Sequence, residues 1–331
     1  MWFKISICFL FSALILVSCG ESKSPNSTGR NSEIIVVCSK QKWNSPVGDT
    51  IRGRLMQSMA GLPEAEPEYT LINVPEKDFS QFLQSHRNIL IVDFQAANKR
   101  SIVETLSNVW AHPQRVIKVK ASSDTAFINI FTKHCEAIKE LFNRNERARF
   151  SAQNALKLNA VAEKLLSDQF GIHMVISKDF YLAKKTEDFM WLRSEAATMS
   201  LGLMIYTYPY LDTAQMNPAA ILASRDRYTK RFIPGPLEGS YMAVEHEFNP
   251  PESRKTLFKK MFAIETRGLW KTVGDFMGGP FINYTIVDAP RQRIIVFDGY
   301  IYYPNKSKRN YIRQLESIIW GAEFTEPSKS K

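Results

Sequence analysis

Apolar and polar positions divide this chain into three regimes. Sixteen uncharged residues, most of them Ile, Leu, Phe or Val, run from Ile5 to Gly20, with Lys4 before them and Glu21 after. The next eleven, Ser22 to Ser32, include no apolar residue. From Ile34 onward, short apolar runs alternate with stretches of helical period, the pattern of a folded α+β chain. Ile34–Cys38 predicts a buried strand. Ser45-Pro46 predicts a helix start, with a side-chain cap and proline at the first helical position, running to about Met59. Tyr69–Val74, Ile89–Phe94 and Arg115–Lys120 predict strands, with a short helix opened by Pro75 that groups Phe79, Phe82 and Leu83. Residues 95–114 fit neither period. Phe127, Phe131, Cys135, Ile138 and Phe142 recur at helical spacing from Asp124, and Asn143–Arg149 either extends or ends that helix. A second amphipathic helix carries Leu158, Val161, Leu165 and Leu166 and stops near Gly171.

Strands dominate afterwards. They are expected at Ile172–Ile176, Phe189–Arg193, Leu201–Tyr208 and Gly239–Phe248, with a helix between Asn217 and Arg227. Pro280–Val287 and Arg293–Tyr303 flank Asp288-Ala289-Pro290-Arg291 and predict a hairpin. Lys306–Trp320 predicts a closing helix that buries Tyr311, Leu315, Ile318 and Ile319. Together these elements give an α+β chain of two mixed α/β sandwich-like domains with mainly antiparallel sheets, residues 33–168 and 169–326.

The first regime is too short to span a bilayer, which takes about twenty apolar residues. A basic start, a short apolar core and a small-residue exit are the layout of a secretory signal peptide. Its exit, Leu16-Val17-Ser18-Cys19-Gly20, is similar to a bacterial lipobox. Residues 1–18 are therefore expected to be cleaved between Ser18 and Cys19, and Cys19 to carry the lipid. Gly20 in place of Asp argues against inner-membrane retention, and the lack of an acidic cluster favours an outer-membrane lipoprotein facing the periplasm. Several acyl chains on one residue anchor a protein stably. Residues 19–32 are expected to form a disordered tether, of which Ser22–Ser32 would reach roughly 17–20 Å as a coil.

The formal charge of +10 comes from 43 bases and 33 acids. An exported chain rarely meets nucleic acid, so anionic headgroups, acidic glycans or an envelope protein are the expected partners of this basicity, beside plain solvation. Of four cysteines, Cys8 leaves with the signal and Cys19 is acylated. Cys38 and Cys135 sit among apolar neighbours and are expected to be separate buried thiols, though an oxidising compartment permits a disulfide.

No phosphate loop, nucleophile elbow, His-Glu-x-x-His helix or zinc spacing is present, and no cofactor is expected. His134-Cys135-Glu136 lacks the downstream cysteine pair of a deaminase. Ser39-Lys40-Gln41-Lys42 has Ser-x-x-Lys spacing without its Lys-Thr-Gly partner. Glu64, Glu66 and Glu68 gather carboxylates that suit either solvent or a hard cation. In Glu245-His246-Glu247, strand alternation would set His246 apart from its neighbours. Arg267-Gly268-Leu269-Trp270 and Gly274-Asp275-Phe276-Met277-Gly278-Gly279 stand out, because four of fifteen glycines fall within twelve residues. Glycine permits close backbone approach, which ligand sites and tight turns both use. Arg267, Trp270, Asp275, Gly278 and Gly279 are the candidate binding residues. Trp270, Phe276, Met277 and Phe281 are expected to pack beneath the terminal hairpin and helix.

The lipobox, Leu62-Pro63-Glu64, His86 to Ile91, Trp110-Ala111-His112-Pro113-Gln114, Gly239 to Met242, Arg267 to Trp270, Met277 to Phe281 and Lys308-Arg309 together resemble a family of Bacteroidetes lipoproteins known as a domain of unknown function, DUF4837. His112 departs from the family's pattern before Pro-Gln. The resemblance covers nearly the whole mature chain and implies lineage and compartment, but no activity or catalytic residue. The element order of the second half also resembles the Mog1/PsbP-like fold. A non-enzymatic envelope module that binds protein, lipid or glycan is the leading expectation. The alternative is an envelope hydrolase using Asp275 or a glutamate, with Arg267 as anion clamp.

Overall fold

The computed structural model describes residues 24–95 and 100–326. Its first half contains β1 (Glu33–Val37), α1 (Lys40–Trp43), α2 (Pro46–Leu55), β2 (Thr70–Val74), α3 (Gln81–Gln84), β3 (Asn88–Phe94), β4 (Ile102–Ser107), β5 (Arg115–Ala121) and α4 (Asp124–Ala155). The sheet order is β2-β1-β3-β5-β4. β1 pairs in parallel with β2 and β3, β3 pairs in parallel with β5, and β4 is an antiparallel edge. Alternation in β1 sends Ile34 and Val36 toward α2 and α4, and Ile35 and Val37 toward Phe79, Leu83 and Trp110 on the other face.

α5 (Ala160–Phe170) opens the second half, followed by β6 (Ile172–His173), β7 (Tyr181–Lys185), β8 (Phe189–Ala196), β9 (Met199–Pro209), α6 (Pro218–Phe232), β10 (Tyr241–Glu245), β11 (Glu252–Phe258), β12 (Met261–Val273), β13 (Gly278–Asp288), β14 (Arg293–Tyr302), α7 (Arg309–Trp320) and β15 (Glu323–Phe324). Seven strands form an antiparallel sheet in the order β10-β12-β13-β14-β9-β8-β7, and β11 pairs with β12 off that path. Ile282, Ile295 and Phe297 face α5 and α7, while Phe281, Val296 and Trp270 lie in the core that includes Tyr228 and Phe232 of α6. The fold is α+β, with antiparallel pairing dominant.

Differences from the expected elements have local causes. The described part of the expected tether, residues 24–32, is fastened down instead: Asn26 and Thr28 bridge to His112 and His86, and Ser32 is fully buried. Backbone hydrogen bonds from Ser27 N–H to His112 and from Thr28 N–H to Ser85 hold this apolar-poor segment. The ambiguous region 95–114 contains β4, an edge strand whose outward residues escape the core. Asn143–Arg149 continues α4, because the Glu146 carboxylate is buried against Asn88 at 2.8 Å and Arg87 at 3.3 Å. The Ile172–Ile176 strand shrinks to two residues, and β7, β11 and β12 were not expected. α5 packs into the second core through Ala162, Leu166 and Phe170, so the second body begins near Asn159 rather than at 169.

The halves interlock. Met59 and Leu62, on the loop between α2 and β2, are buried in the core of the second half. Asn249 Nδ2 donates to the Leu62 carbonyl at 3.0 Å. Glu66, one of the acidic triplet, accepts from the Lys308 and Arg309 backbone N–H groups at 2.6 and 3.2 Å. It thereby serves the start of α7, which has no capping side chain of its own. Glu64 takes the Lys308 ammonium at 2.8 Å, and Glu68 takes Lys139 at 3.1 Å. Glu64 and Glu66 thus bind across the two halves, while Glu68 pairs with α4 within the first.

Candidate functional site

Alternation along β12 puts Ala263, Glu265, Arg267 and Leu269 on the face toward α7, and Ile264, Thr266, Gly268 and Trp270 on the face toward α6. Two charges therefore point into what would otherwise be an apolar layer. Glu265 is buried, and its Oε1 accepts from Arg267 Nε at 2.6 Å. Arg267 Nη2 donates to Glu316 Oε1 of α7 at 3.0 Å. Arg254, from the neighbouring β11, adds a third contact at 2.7 Å to Glu265 Oε2. Burial alone would raise the Glu265 carboxyl, yet the Arg267 and Arg254 guanidiniums hold it at about 2. Burial likewise opposes the charge on Arg267, but Glu265 and Glu316 outweigh it and raise its pKa.

Tyr284 completes the cluster from β13. Its hydroxyl accepts from Trp320 Nε1–H at 3.0 Å and lies 3.1 Å from Glu265 Oε2 and 3.2 Å from Glu316 Oε1. One phenolic hydrogen serves these two carboxylates. Burial, with both carboxylates nearby, pushes the Tyr284 pKa far up. The phenol stays neutral.

This cluster floors a cleft of about 720 Å³ between α4 and the β11–β12 hairpin. Lys139 and Asn143 of α4 face Arg254 and Leu257 of β11 across it, with Arg313 and Trp320 of α7 at the base. A second recess of about 670 Å³ adjoins it, sharing Glu140, Arg147 and Trp320. There Arg147 stacks 4.7 Å over the Trp320 ring and pairs with Glu140 at 2.5 Å. Arg313 donates to Asn143 and to the Glu68 carbonyl and lies over the Tyr69 ring. Its buried Nε has no partner among the described residues. The joined recesses present both signs of charge, an aromatic floor and two exposed leucines, Leu158 at 38% and Leu257 at 63%.

Of the five candidate binding residues, Arg267 lines this cleft. Trp270 lies on the opposite face of the sheet, its Nε1–H donating to the Ile301 carbonyl at 3.1 Å. Gly279 explains that approach, since a Cβ there would stand 2.0 Å from the same carbonyl oxygen. Gly278 is similarly pressed against the Trp270 carbonyl, 2.9 Å from where its Cβ would be. These two glycines serve packing. Asp275 sits in the turn beyond β12, its carboxylate receiving the Phe276 N–H at 2.6 Å. Eight residues of mostly extended chain separate it from Arg267, roughly 20 Å or more, so the two do not share a site. Phe276, expected to be packed, is instead fully exposed at 106%. Phe281 and Trp270 are buried, but in the core under α6, on the sheet face opposite the terminal helix. Ser18 and Cys19 lie outside the described residues.

The other motifs resolve into local structure. Ser39 caps α1 by accepting from the Lys42 N–H at 3.3 Å, and Lys42 pairs with Asp124. Glu245 caps the turn at Glu247 and Phe248, while His246 lies 3.6 Å from Asp226. Cys38 and Cys135 are separate buried thiols, and burial pushes both up to about 11. Among the described residues, no three His, Cys, Asp or Glu side chains are grouped to hold a metal ion, and no helix is long and apolar enough to cross a membrane. Sequence reading missed Glu265, Glu316, Tyr284 and Arg313. Their one signal was a Glu-Thr-Arg inside a stretch otherwise fit to be a core strand.

Residues 159–321 match the family model of a domain of unknown function, DUF4837. Residues 27–155 match a second domain of unknown function, DUF8532. The gap between the two matches falls between α4 and α5, where the first core gives way to the second. No curated protein matches the chain. Among solved structures, cyanobacterial PsbP (CyanoP) from Synechocystis is similar with a TM-score of 0.30 and 8% identity, over 46% of this chain and 86% of that one.

Proposed function

We propose that this chain is a lipid-anchored binding module of the cell envelope, an outer-membrane lipoprotein facing the periplasm, that takes its ligand in the cleft between its halves. The observation that carries the reading is the way the cleft's charges are held. Arg267, the natural anion clamp, is already engaged by Glu265 and Glu316, and Lys139 and Arg147 are engaged by Glu68 and Glu140. Such a surface offers fixed, preorganised polarity without an activated nucleophile, which suits recognition of a polar envelope protein or glycan. The lipid reading rests on Leu16-Val17-Ser18-Cys19.

Metabolic labelling with an alkyne fatty acid tests the anchor. Wild type should take up the label and Cys19→Ala should lose it; undiminished label in the variant would refute the anchor. For the cleft, Leu257→Asp alters an exposed wall residue without touching the core. It should abolish co-purification of the envelope partner captured by wild type, and capture that survives the change would move the site elsewhere.

A further inference from the structure

We infer that the end of the first sheet carrying the α3 loop and the 108–113 loop lies directly on the bilayer, with Phe82 and Val109 entering its interface. The inference rests on the lipid anchor proposed above and turns on chain length. Cys19 and Ser24, where the described chain begins, are five residues apart. Fully extended, five residues span at most about 18 Å. The His112 N–H donates to the Pro25 carbonyl at 2.8 Å, and from there to Ser32 the chain is fastened to the first half. An acylated Cys19 would therefore hold this particular end against the membrane, on a leash much shorter than residues 19–32 would give.

The surface at that end has the chemistry of a bilayer contact. Phe82 is 78% exposed and Val109 41%, an unusual display for a short helix and a loop. Both adjoin the chain's exit. The Ser85 carbonyl accepts the Thr28 N–H, Ser85 Oγ donates to the Phe82 carbonyl, and Val109 lies three residues before His112. Two or three protruding side chains cannot build the roughly 800 Å² per partner of a stable protein interface. They do suit partial burial beneath headgroups. Arg30, Arg115 and Arg149 ring the same end. Arg149 donates to the Pro113 carbonyl at 3.3 Å, and Arg115 to Ser107 at 2.7 Å. Among the described residues none of the three makes an ion pair with a carboxylate. Glu33, the acid nearest the exit, is engaged by His86 at 3.1 Å and by the Arg30 backbone N–H at 2.9 Å. The excess positive charge matches anionic headgroups. The ligand cleft is lined by other residues, among them Lys139 and Asn143 of α4 and Leu257 of β11, so one end would hold the membrane while the cleft stays free.

Alkylation in vesicles tests this. The full chain carrying Phe82→Cys or Phe276→Cys is purified acylated, and the mass of its N-terminal peptide confirms the lipid. It is then placed in vesicles of phosphatidylethanolamine and phosphatidylglycerol and treated with a membrane-impermeant maleimide. Cys38 and Cys135 are 1% exposed and stay silent. Position 82 should react at least about tenfold more slowly in vesicles than in detergent, while position 276 should react equally in both. An acylated chain whose position 82 reacts as freely as 276 overturns the bilayer contact and leaves the anchor standing. A chain with no acyl group takes down the anchor and this inference with it, and the peptide mass tells the two failures apart.

Discussion

Arg267 is held between two glutamates that approach each other only because it lies between them. Removing it leaves Glu265 and Glu316 buried together with one phenolic hydrogen to share. Breaking a buried pair in this way costs about 3–5 kcal/mol, so Arg267→Ala should lower the thermal midpoint sharply. Asp275, out on its turn, should tolerate alanine with little change. Equal, small shifts in both variants would mean that Arg267 does not brace the sheet against α7. Acid acts on the same cluster. Glu265 titrates near 2 in the folded chain against an ordinary 4.5. The stability that its charge contributes is complete above pH 4.5 and is lost as pH falls from there toward 2. Denaturant midpoints measured across that window should decline in wild type, and the decline should be shallower in Glu265→Gln, which has no such proton to bind.

At the scale of elements, the strand that carries the site was the hardest to see. Ala263, Glu265, Arg267 and Leu269 share one face of β12, and two charges among four inward positions erase the alternation that marks a half-buried strand. β5 and β9 were legible because their inward positions are uniformly apolar, and β3 and β14 because only Asn88 and Asp298 interrupt theirs. α4 was legible from Phe127 to Phe142 and ambiguous beyond, where Asn145 and Glu146 replace apolar core residues to reach Arg87 and Asn88. The glycine cluster drew notice for a different reason from the one it serves. Gly279 exists so that β13 can approach Ile301 while Trp270 reaches the same carbonyl. Gly279→Ala should therefore cost about 1–3 kcal/mol through forced backbone displacement. Gly53→Ala, on a helix surface with open space at its Cβ, should be neutral or stabilising. Unfolding curves in urea compare the two, and a Gly279 variant as stable as the Gly53 variant would mean the close approach is not needed.

Across the whole molecule, two family-sized bodies share one chain, and α7 of the second packs on α4 of the first beside the loop that carries Met59 to Glu68. Met59 and Leu62 leave the first body and enter the core of the second, and Glu64, Glu66 and Glu68 bind Lys308, the start of α7 and Lys139. None of this was legible beforehand, because a carboxylate-rich loop reads the same whether it meets water or a partner body. The change in element content along the chain is visible in the sequence, and α5 packs with the core of the second half. α4 forms one wall of the cleft and β11 the other, with α7 at the base. The claim that this cleft receives the ligand is best tested by photo-crosslinking in living cells. A photoreactive amino acid is placed at Leu257 on the cleft wall or at Phe276 on the distant turn. A discrete adduct from position 257 that is absent from 276 is the predicted result. The same adduct from both positions, or from 276 alone, would contradict it.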